Sequence, residues 1–176
     1  MRLSHPMKIL TILIGTLALN MFDASNCPAD ETATEAMLRA ESLGRLRLGL
    51  PGNDVLKLLG SPATRGELVF QEADGNYVQD WHYPDKGIEL LMSAGEKKSG
   101  VKTIANITAS APCTFAIRKG IKIGDTESAA RKAYAEHVDR ETSDPGILVV
   151  GSISDGIIFN FTKGKVSRIF FGAAAE

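Results

Sequence analysis

The chain has 176 residues, of which 44% are hydrophobic and 23% are charged. These proportions are typical of a globular protein, and they exclude an intrinsically disordered chain, its ends aside. The net charge of −1 provides no basic field, so we expect no nucleic-acid partner.

The N-terminus has the layout of a secretory signal peptide. Lys8 is followed by the apolar run 9–19, which is shorter than the roughly 20 residues that span a bilayer. We assign residues 1–24 to the signal peptide, with Ala24 as its last residue. The mature protein is therefore expected to be periplasmic or secreted.

The chain contains two cysteines, Cys27 and Cys113. In an exported chain, two cysteines favour a disulfide bond between them. The alternative is a lipid attached to Cys27, which would tether the protein to the outer membrane. The preceding residues Ala24-Ser25-Asn26 match a lipidation signal poorly, because Asn26 directly precedes the cysteine. We expect contact with a membrane only if Cys27 is lipidated.

Two helices are predicted in the first part of the chain. Residues 25–43 form an N-terminal segment whose helix is expected over 28–43, a stretch rich in helix formers that ends before Gly44. The next helix is expected over 52–59, because apolar residues recur there at helical spacing behind Pro51. This second helix is predicted to cover part of a sheet.

Strands are predicted where apolar and polar residues alternate between turn residues. In the first half, these strands are 67–70, 77–83, 88–92 and 101–107. In the second half, a short helix precedes strands 147–153, 157–161 and 166–171. The stretch 136–146 after that helix is polar and ends in a turn at Asp144-Pro145-Gly146, and no strand is predicted in it.

The same order of elements occurs twice. The first copy begins at 48–59 and the second at 123–134. Each copy has an apolar residue, a glycine, a polar turn and a small helix, and each is followed by a strand that a glycine opens, Gly87 or Gly156. This repetition predicts an α+β fold of two tandem units, each a helix plus an antiparallel sheet, behind a signal peptide and a short helix. The two sheets are expected either to pack side by side or to continue into one curved sheet, so that they share a core.

Residues 49–62 read Gly, five residues, Val-x-x-Leu-Leu-Gly-x-Pro. Together with Trp81-His82-Tyr83 and the glycine-led strand after it, this pattern resembles the SmpA/OmlA/BamE-like superfamily, whose fold is similar to that of the β-lactamase inhibitor proteins. The second copy has Tyr134-Ala135-Glu136 where the pattern has Leu-Gly-x-Pro. The resemblance implies tandem BamE-like repeats, which we assign to residues 44–111 and 112–176.

The resemblance also implies a function. Proteins of these groups are exported from bacteria and are not enzymes; they are outer-membrane assembly lipoproteins, or inhibitors that bind an enzyme. The implied partner is therefore another protein in the cell envelope.

The sequence itself indicates no catalytic or metal site. The mature chain has two histidines, His82 and His137, neither of which has a second histidine at the spacing of a zinc ligand, and it has no CxxC motif. Phosphate-binding glycine loops and a Gly-x-Ser-x-Gly motif are absent from the sequence. We therefore predict that the protein is not an enzyme and has no cofactor or metal.

One strand carries the sharpest candidate for a binding surface. Tyr77, Trp81 and Tyr83 alternate onto one of its faces, and aromatic residues with polar atoms are frequent in interfaces. The alternative interpretation is that this face packs beneath the preceding helix as core. In that case Asp80 and His82 lie on the open side and are candidates for a shallow polar contact patch.

We therefore predict an exported, non-enzymatic binding module that recognises a protein partner through its sheet surface. The alternative is a structural or assembly lipoprotein that is associated with the outer membrane through Cys27.

Overall fold

The computed structural model of the protein describes residues 33–152 and 155–172. The predicted signal peptide 1–24 and Cys27 lie outside this range. Among the described residues, no helix has the length and apolar character needed to cross a membrane.

Nine strands in the described part of the chain form one antiparallel sheet. They are β1 (Thr64–Arg65), β2 (Val69–Gln71), β3 (Asn76–Tyr83), β4 (Ile88–Ser93), β5 (Thr103–Ser110), β6 (Val138–Asp144), β7 (Ile147–Gly151), β8 (Gly156–Thr162) and β9 (Lys165–Gly172). Their order across the sheet is β1-β3-β4-β5-β9-β8-β7-β6, and β2 pairs with β3 on the same side as β1.

The helices of the described chain are short. They are α1 (Ala33–Ala40), α2 (Gly52–Leu59) and α3 (Glu127–Ala133), with a 3-10 turn at Pro84–Lys86. The helix predicted over 52–59 is confirmed as α2, where Val55 is fully buried and Leu59 is 8% exposed. In α3, the side chain of the N-cap residue Thr126 accepts a hydrogen bond from the backbone N–H of Ala129 at 3.2 Å, which satisfies one of the free amides at the helix start.

The predicted α+β fold of two helix-plus-sheet repeats is wrong. Residues 44–111 supply β1–β5 and residues 112–176 supply β6–β9, but β5 pairs with β9 from Asn106↔Gly172 to Ser110↔Arg168. This pairing joins the two sets of strands into one continuous sheet. The three helices, of about two turns each, are a minor component of the fold beside this sheet. A continuous sheet was one of the two arrangements expected for the repeats, but the strands that join them could not be named, because alternation identifies which residues of a strand face the core and not which strand lies beside it.

The polar stretch 136–146, in which no strand is predicted, contains strand β6, and the turn predicted at its end lies between β6 and β7. This strand pairs with β7 through Val138↔Val150 and Asp139↔Val149. It is the last strand at that side of the sheet and its sequence, Val-Asp-Arg-Glu-Thr-Ser-Asp, is mostly polar. An edge strand of this composition lacks the apolar alternation by which strands are recognised.

One face of the sheet carries the core, and we call it the helix-covered face. A row of paired residues crosses six strands and is almost completely buried: Trp81, Leu90, Ile107, Phe171, Ile157 and Val150. Val55 and Leu59 of α2, Leu38 of α1 and Ala130 of α3 belong to the same buried cluster. All three helices therefore pack on this one face.

Two glycine turns attach α2 and α3 to the sheet. Gly49 has a φ of +74° and Gly124 a φ of +91°, a backbone region that residues with a Cβ atom rarely adopt. The N–H of Gly49 donates to the carbonyl oxygen of Ile104 at the start of β5, and the N–H of Gly124 donates to that of Val166 at the start of β9, both at 2.8 Å. Each helix is thus fixed to one of the two central strands.

Candidate functional site

Strand β3 presents its side chains alternately to the two faces of the sheet. On the helix-covered face, Trp81 is 4% exposed and Tyr83 is 3% exposed. A Cβ atom at Gly52, the first residue of α2, would lie 3.1 Å from the Trp81 ring, so α2 begins directly above the indole. Trp81 and Tyr83 belong to the core, which leaves Asp80 and His82 as the candidates for partner contact on this strand.

A hydrogen-bond network fixes the indole of Trp81. Its Nε1 donates to Gln79 Oε1 at 3.0 Å, and the same oxygen accepts from Lys102 Nζ at 2.9 Å. Gln79 Nε2 donates to the carbonyl oxygen of Gly66 at 2.8 Å, and the Arg65 guanidinium lies 4.4 Å from the centroid of the Trp81 ring. Because these polar atoms form hydrogen bonds with one another, we interpret the network as one that stabilises the fold and not as a binding site.

The other two predicted aromatic residues lie at opposite ends of β3. The hydroxyl of Tyr83 donates to the carbonyl oxygen of Gly60 at 3.2 Å, and burial raises the pKa of Tyr83. Tyr77 is partly exposed. Its ring centroid lies 5.0 Å from that of Phe70 and 5.5 Å from Lys98 Nζ. Tyr77 is therefore accessible at the edge of the sheet, whereas Tyr83 is not.

The second face of the sheet points away from the helices. On β3 it carries Asp80, which is exposed, and His82. His82 Nδ1 lies 3.8 Å from Oε1 of Glu89 on β4, and these two side chains are 41% and 65% exposed. The shallow polar patch predicted at Asp80 and His82 therefore includes Glu89, which the sequence did not single out.

The polar patch is one end of a surface that continues across the sheet. Strand pairing places His82 beside Glu89, Glu89 beside Thr108, Thr108 beside Phe170, and Phe170 beside Ile158. A parallel row runs from Asp80 through Leu91 to Asn106, and Arg168 pairs with Asn160 on the other side. We define the open face as these ten residues: Asp80, His82, Glu89, Leu91, Asn106, Thr108, Ile158, Asn160, Arg168 and Phe170.

The open face is apolar at its centre and charged around it. Phe170 and Ile158 are partly exposed neighbours on β9 and β8. Arg168 Nη2 lies 3.4 Å from Thr108 Oγ1, and its guanidinium carbon is 6.0 Å from the centroid of the Phe170 ring. The carboxylates Asp80 and Glu89 lie on the β3–β4 side, so the face has an acidic side and a basic side that flank an aromatic centre.

Sequence reasoning did not identify Phe170 and Ile158 as surface residues. Both lie in apolar runs, Ile169-Phe170-Phe171 and Ile157-Ile158-Phe159, in which every side chain resembles core. Strict alternation was the available signal: Ile157, Phe159, Ile169 and Phe171 are buried, and the residues between them are not. A strand with apolar residues on both faces predicts a second apolar surface.

The structure contains no candidate metal centre among the residues it describes, since no three side chains of His, Cys, Asp or Glu converge there. Cys113 is a free, buried thiol, and burial raises its pKa. Its predicted disulfide partner, Cys27, lies outside the described residues. The disulfide and the lipid on Cys27 both stay predictions.

A buried carboxylate on the helix-covered side was also missed. Glu41 is 2% exposed. Its Oε2 accepts a hydrogen bond from the Tyr134 hydroxyl at 2.6 Å, and its Oε1 accepts from the backbone N–H groups of Arg118 at 2.6 Å and Ser42 at 3.0 Å. Burial is the main reason that the pKa of Tyr134 is raised, and the Glu41 carboxylate adds to it. No sequence signal marks Glu41, because it follows α1 as one charged residue among several.

Comparison of the chain with protein-family models, with curated proteins and with solved structures yields no match. The resemblance of residues 49–62 to the SmpA/OmlA/BamE-like superfamily therefore stays a prediction.

Proposed function

We propose that this protein is an exported, non-enzymatic binding module that recognises a protein partner in the cell envelope through its open face. The observation that carries the proposal is the pairing of Phe170 with Ile158. These two apolar side chains lie partly exposed near the middle of the sheet, on the face opposite to all three described helices. Aromatic and aliphatic side chains in such a position are typical anchors of protein interfaces.

The size of the sheet suits a protein partner. Eight strands stand side by side in the sheet order, and seven spacings of about 4.8 Å give a face roughly 34 Å wide. An interface of standard size buries about 800 Å² on each partner. A surface of these dimensions can provide that area without a deep cleft.

Charge suggests the chemistry of the partner. An apolar group would occupy the centre over Phe170 and Ile158, while basic side chains would oppose Asp80 and Glu89, and an acidic one would oppose Arg168. Charges in these peripheral positions influence the association rate and the choice of partner more than the affinity.

Photocrosslinking followed by measurement with purified protein tests the proposal. A photoreactive phenylalanine analogue at position 170 should capture an envelope protein, which is then identified and purified. Its affinity for the Phe170→Ala variant should be lower by about tenfold or more, as for a central interface residue. The matched control is Val101→Ala, since Val101 is 75% exposed and lies outside the open face.

Two results would overturn the proposal. One is unchanged affinity of the purified partner for both Phe170→Ala and the charge variant Glu89→Lys, with both variants folded by circular dichroism. The other is an equal loss of affinity in Val101→Ala, which would move the contact away from the open face.

The proposed location rests on the predicted signal peptide 1–24. The mass of the mature protein tests it, because cleavage after Ala24 removes a defined segment. The same spectrum distinguishes a diacylglyceryl group on Cys27 from a disulfide between Cys27 and Cys113, and the diacylglyceryl mass would favour the outer-membrane lipoprotein instead.

A further inference from the structure

The edge of the sheet next to β3 is apolar and unpaired. Strand β2 pairs only with β3, and no other described strand adjoins its outer side. Val69 and Phe70 on this strand are 51% and 50% exposed, and together with Val101 they are the large hydrophobic side chains that the described residues expose. This edge therefore offers free backbone groups and apolar side chains together.

The opposite edge of the same sheet has the usual protection. Strand β6 has charged side chains at Asp139, Arg140, Glu141 and Asp144, and its pairing with β7 is irregular between Asp139 and Asp144. Charges and bulges of this kind prevent another strand from adding to an edge. Of the two edges, only β2 combines exposed apolar side chains with regular pairing to its neighbour, from Val69↔Val78 to Gln71↔Asn76.

The side chains of β2 are already held in place for an added strand. The Phe70 ring lies 5.0 Å from that of Tyr77 on β3, at an interplanar angle of 52°. Val69 stands beside Val78, which is 5% exposed, on the other face of the sheet. An extended segment along β2 could therefore pack one apolar side chain against Phe70 and the next against Val69, one on each face.

The charged residues beside β2 indicate which kind of extended segment can bind at this edge. Glu67 and Glu72 flank the apolar pair, both are exposed, and neither makes a hydrogen bond or an ion pair within the described residues. If the outer edges of two β2 strands paired antiparallel, Glu67 and Glu72 of both copies would lie close together along one short seam, although none would stand directly opposite another. Four carboxylates held close together repel one another, which disfavours self-association here.

We infer that β2 is a strand-addition site for an extended peptide with an apolar centre and a Lys or Arg at each flank. Backbone hydrogen bonds to β2 would provide affinity, Val69 and Phe70 would select apolar side chains, and Glu67 and Glu72 would select the basic flanks. This site is separate from the open face, so the two proposals succeed or fail independently.

Two synthetic peptides test the inference on the full chain. The probe is the capped hexapeptide Lys-Thr-Val-Ile-Thr-Lys, whose two lysines lie opposite Glu67 and Glu72 when its central pair lies beside Val69 and Phe70. Its control is the same peptide with Glu at both ends. The Lys-flanked probe should bind about tenfold more tightly, should shift the NMR signals of the amides of residues 69–71, and should slow their hydrogen exchange. Equal affinity for the two peptides, or shifts confined to other strands, would overturn the inference.

A charge swap provides the sharper test. The double variant Glu67→Lys/Glu72→Lys should reverse the preference and bind the Glu-flanked peptide more tightly. The control Glu136→Lys/Glu141→Lys makes the same change of net charge at exposed positions away from β2 and should keep the original preference. A reversal in both variants would show that net charge alone selects the peptide, and would overturn the site.

Sedimentation velocity tests the choice of occupant. The natural chain should remain monomeric, because pairing of two β2 edges would bring four carboxylates close together. A natural chain that dimerises and loses its dimer in Phe70→Lys would show that a second copy is the occupant, against the inference.

Discussion

Replacement of Glu41 by Gln tests how the segment after α1 is held to the rest of the fold. Glu41 Oε2 accepts the hydrogen bond from the Tyr134 hydroxyl, while Oε1 accepts backbone N–H groups from Arg118 and Ser42. The backbone N–H of Arg118 also donates to the carbonyl oxygen of Ser42 at 3.0 Å. The carboxylate thus joins the residues after α1 to the segment before α3 and to the residue that ends α3.

The expected loss of stability follows from the burial of this site. A hydrogen bond to a charged group contributes about 1.5–3 kcal/mol, and a buried donor left without its acceptor costs a further amount of similar size. We expect Glu41→Gln to lower the free energy of unfolding by about 2–3 kcal/mol and Tyr134→Phe by about 2 kcal/mol. Because both remove the charge-assisted hydrogen bond between the Tyr134 hydroxyl and the Glu41 carboxylate, the double variant should lose about 1–2 kcal/mol less than the sum.

Urea unfolding followed by tryptophan fluorescence measures these values, since Trp81 is the one tryptophan of the chain. The matched control is Glu136→Gln, which removes the same charge at an exposed position and should change stability by less than about 0.5 kcal/mol. Losses that add within about 0.3 kcal/mol in the double variant would refute the reasoning, because they would mean that the two side chains do not interact.

Three further predictions concern the buried groups around the site. Trp81→Ala should lower the free energy of unfolding by about 3–5 kcal/mol, measured by urea unfolding followed by circular dichroism, and a loss below about 1 kcal/mol would contradict its place in the core. Because the pKa values of Tyr83 and Tyr134 are raised above 10.0, their contribution to stability is fully present below pH 10 and is lost as the pH rises further. Absorbance at 295 nm should show that Tyr83 and Tyr134 ionise above pH 10, and ionisation of both near pH 10 in the folded protein would be the contrary result. Gly87→Ala should destabilise the protein much more than Gly75→Ala in thermal unfolding: both glycines have positive φ, at +60° and +66°, but a Cβ atom at Gly87 would also collide with the backbone of Ser110 and lie 2.6 Å from the Cys113 nitrogen, and equal losses would contradict this.

The sequence predicted the local elements of the first half well. Strand 77–83 agrees with β3 (Asn76–Tyr83), strand 88–92 agrees with β4 (Ile88–Ser93), and helix 52–59 agrees with α2. Each of these elements has a clear period, two for the strands and 3.6 for the helix, and each is directly preceded or followed by a proline or glycine. Periodicity of this kind depends only on neighbouring residues, so it can be recognised without knowledge of the rest of the chain.

The candidate site was predicted only in part. Asp80 and His82 were assigned to the open side of β3 on the condition that Trp81 is core, and their exposure agrees with that condition. Glu89 was not assigned although β4 follows β3 in the chain and pairs with it. Arg168 and Phe170 were not assigned because β9 joins this part of the sheet through β5, which is distant from it in the chain. Glu41 was not identified for the same reason, since its partner Tyr134 lies 93 residues away.

The sequence by itself determined most of the extended and helical stretches and the apolar side of each predicted strand, because those properties depend on local alternation and on turn residues; the polar strand β6 is the exception. The tertiary structure decided how the strands are arranged. Backbone hydrogen bonds between β5 and β9 carry no side-chain signature, yet they join the two expected units into one sheet. Pairing of β9 with β8 brings Phe170 and Ile158 together on the open face, and α2 covers Trp81 on the helix-covered face. Strand β2 pairs only with β3 and lies at an edge, where Val69 and Phe70 are exposed although their sequence resembles that of a core strand.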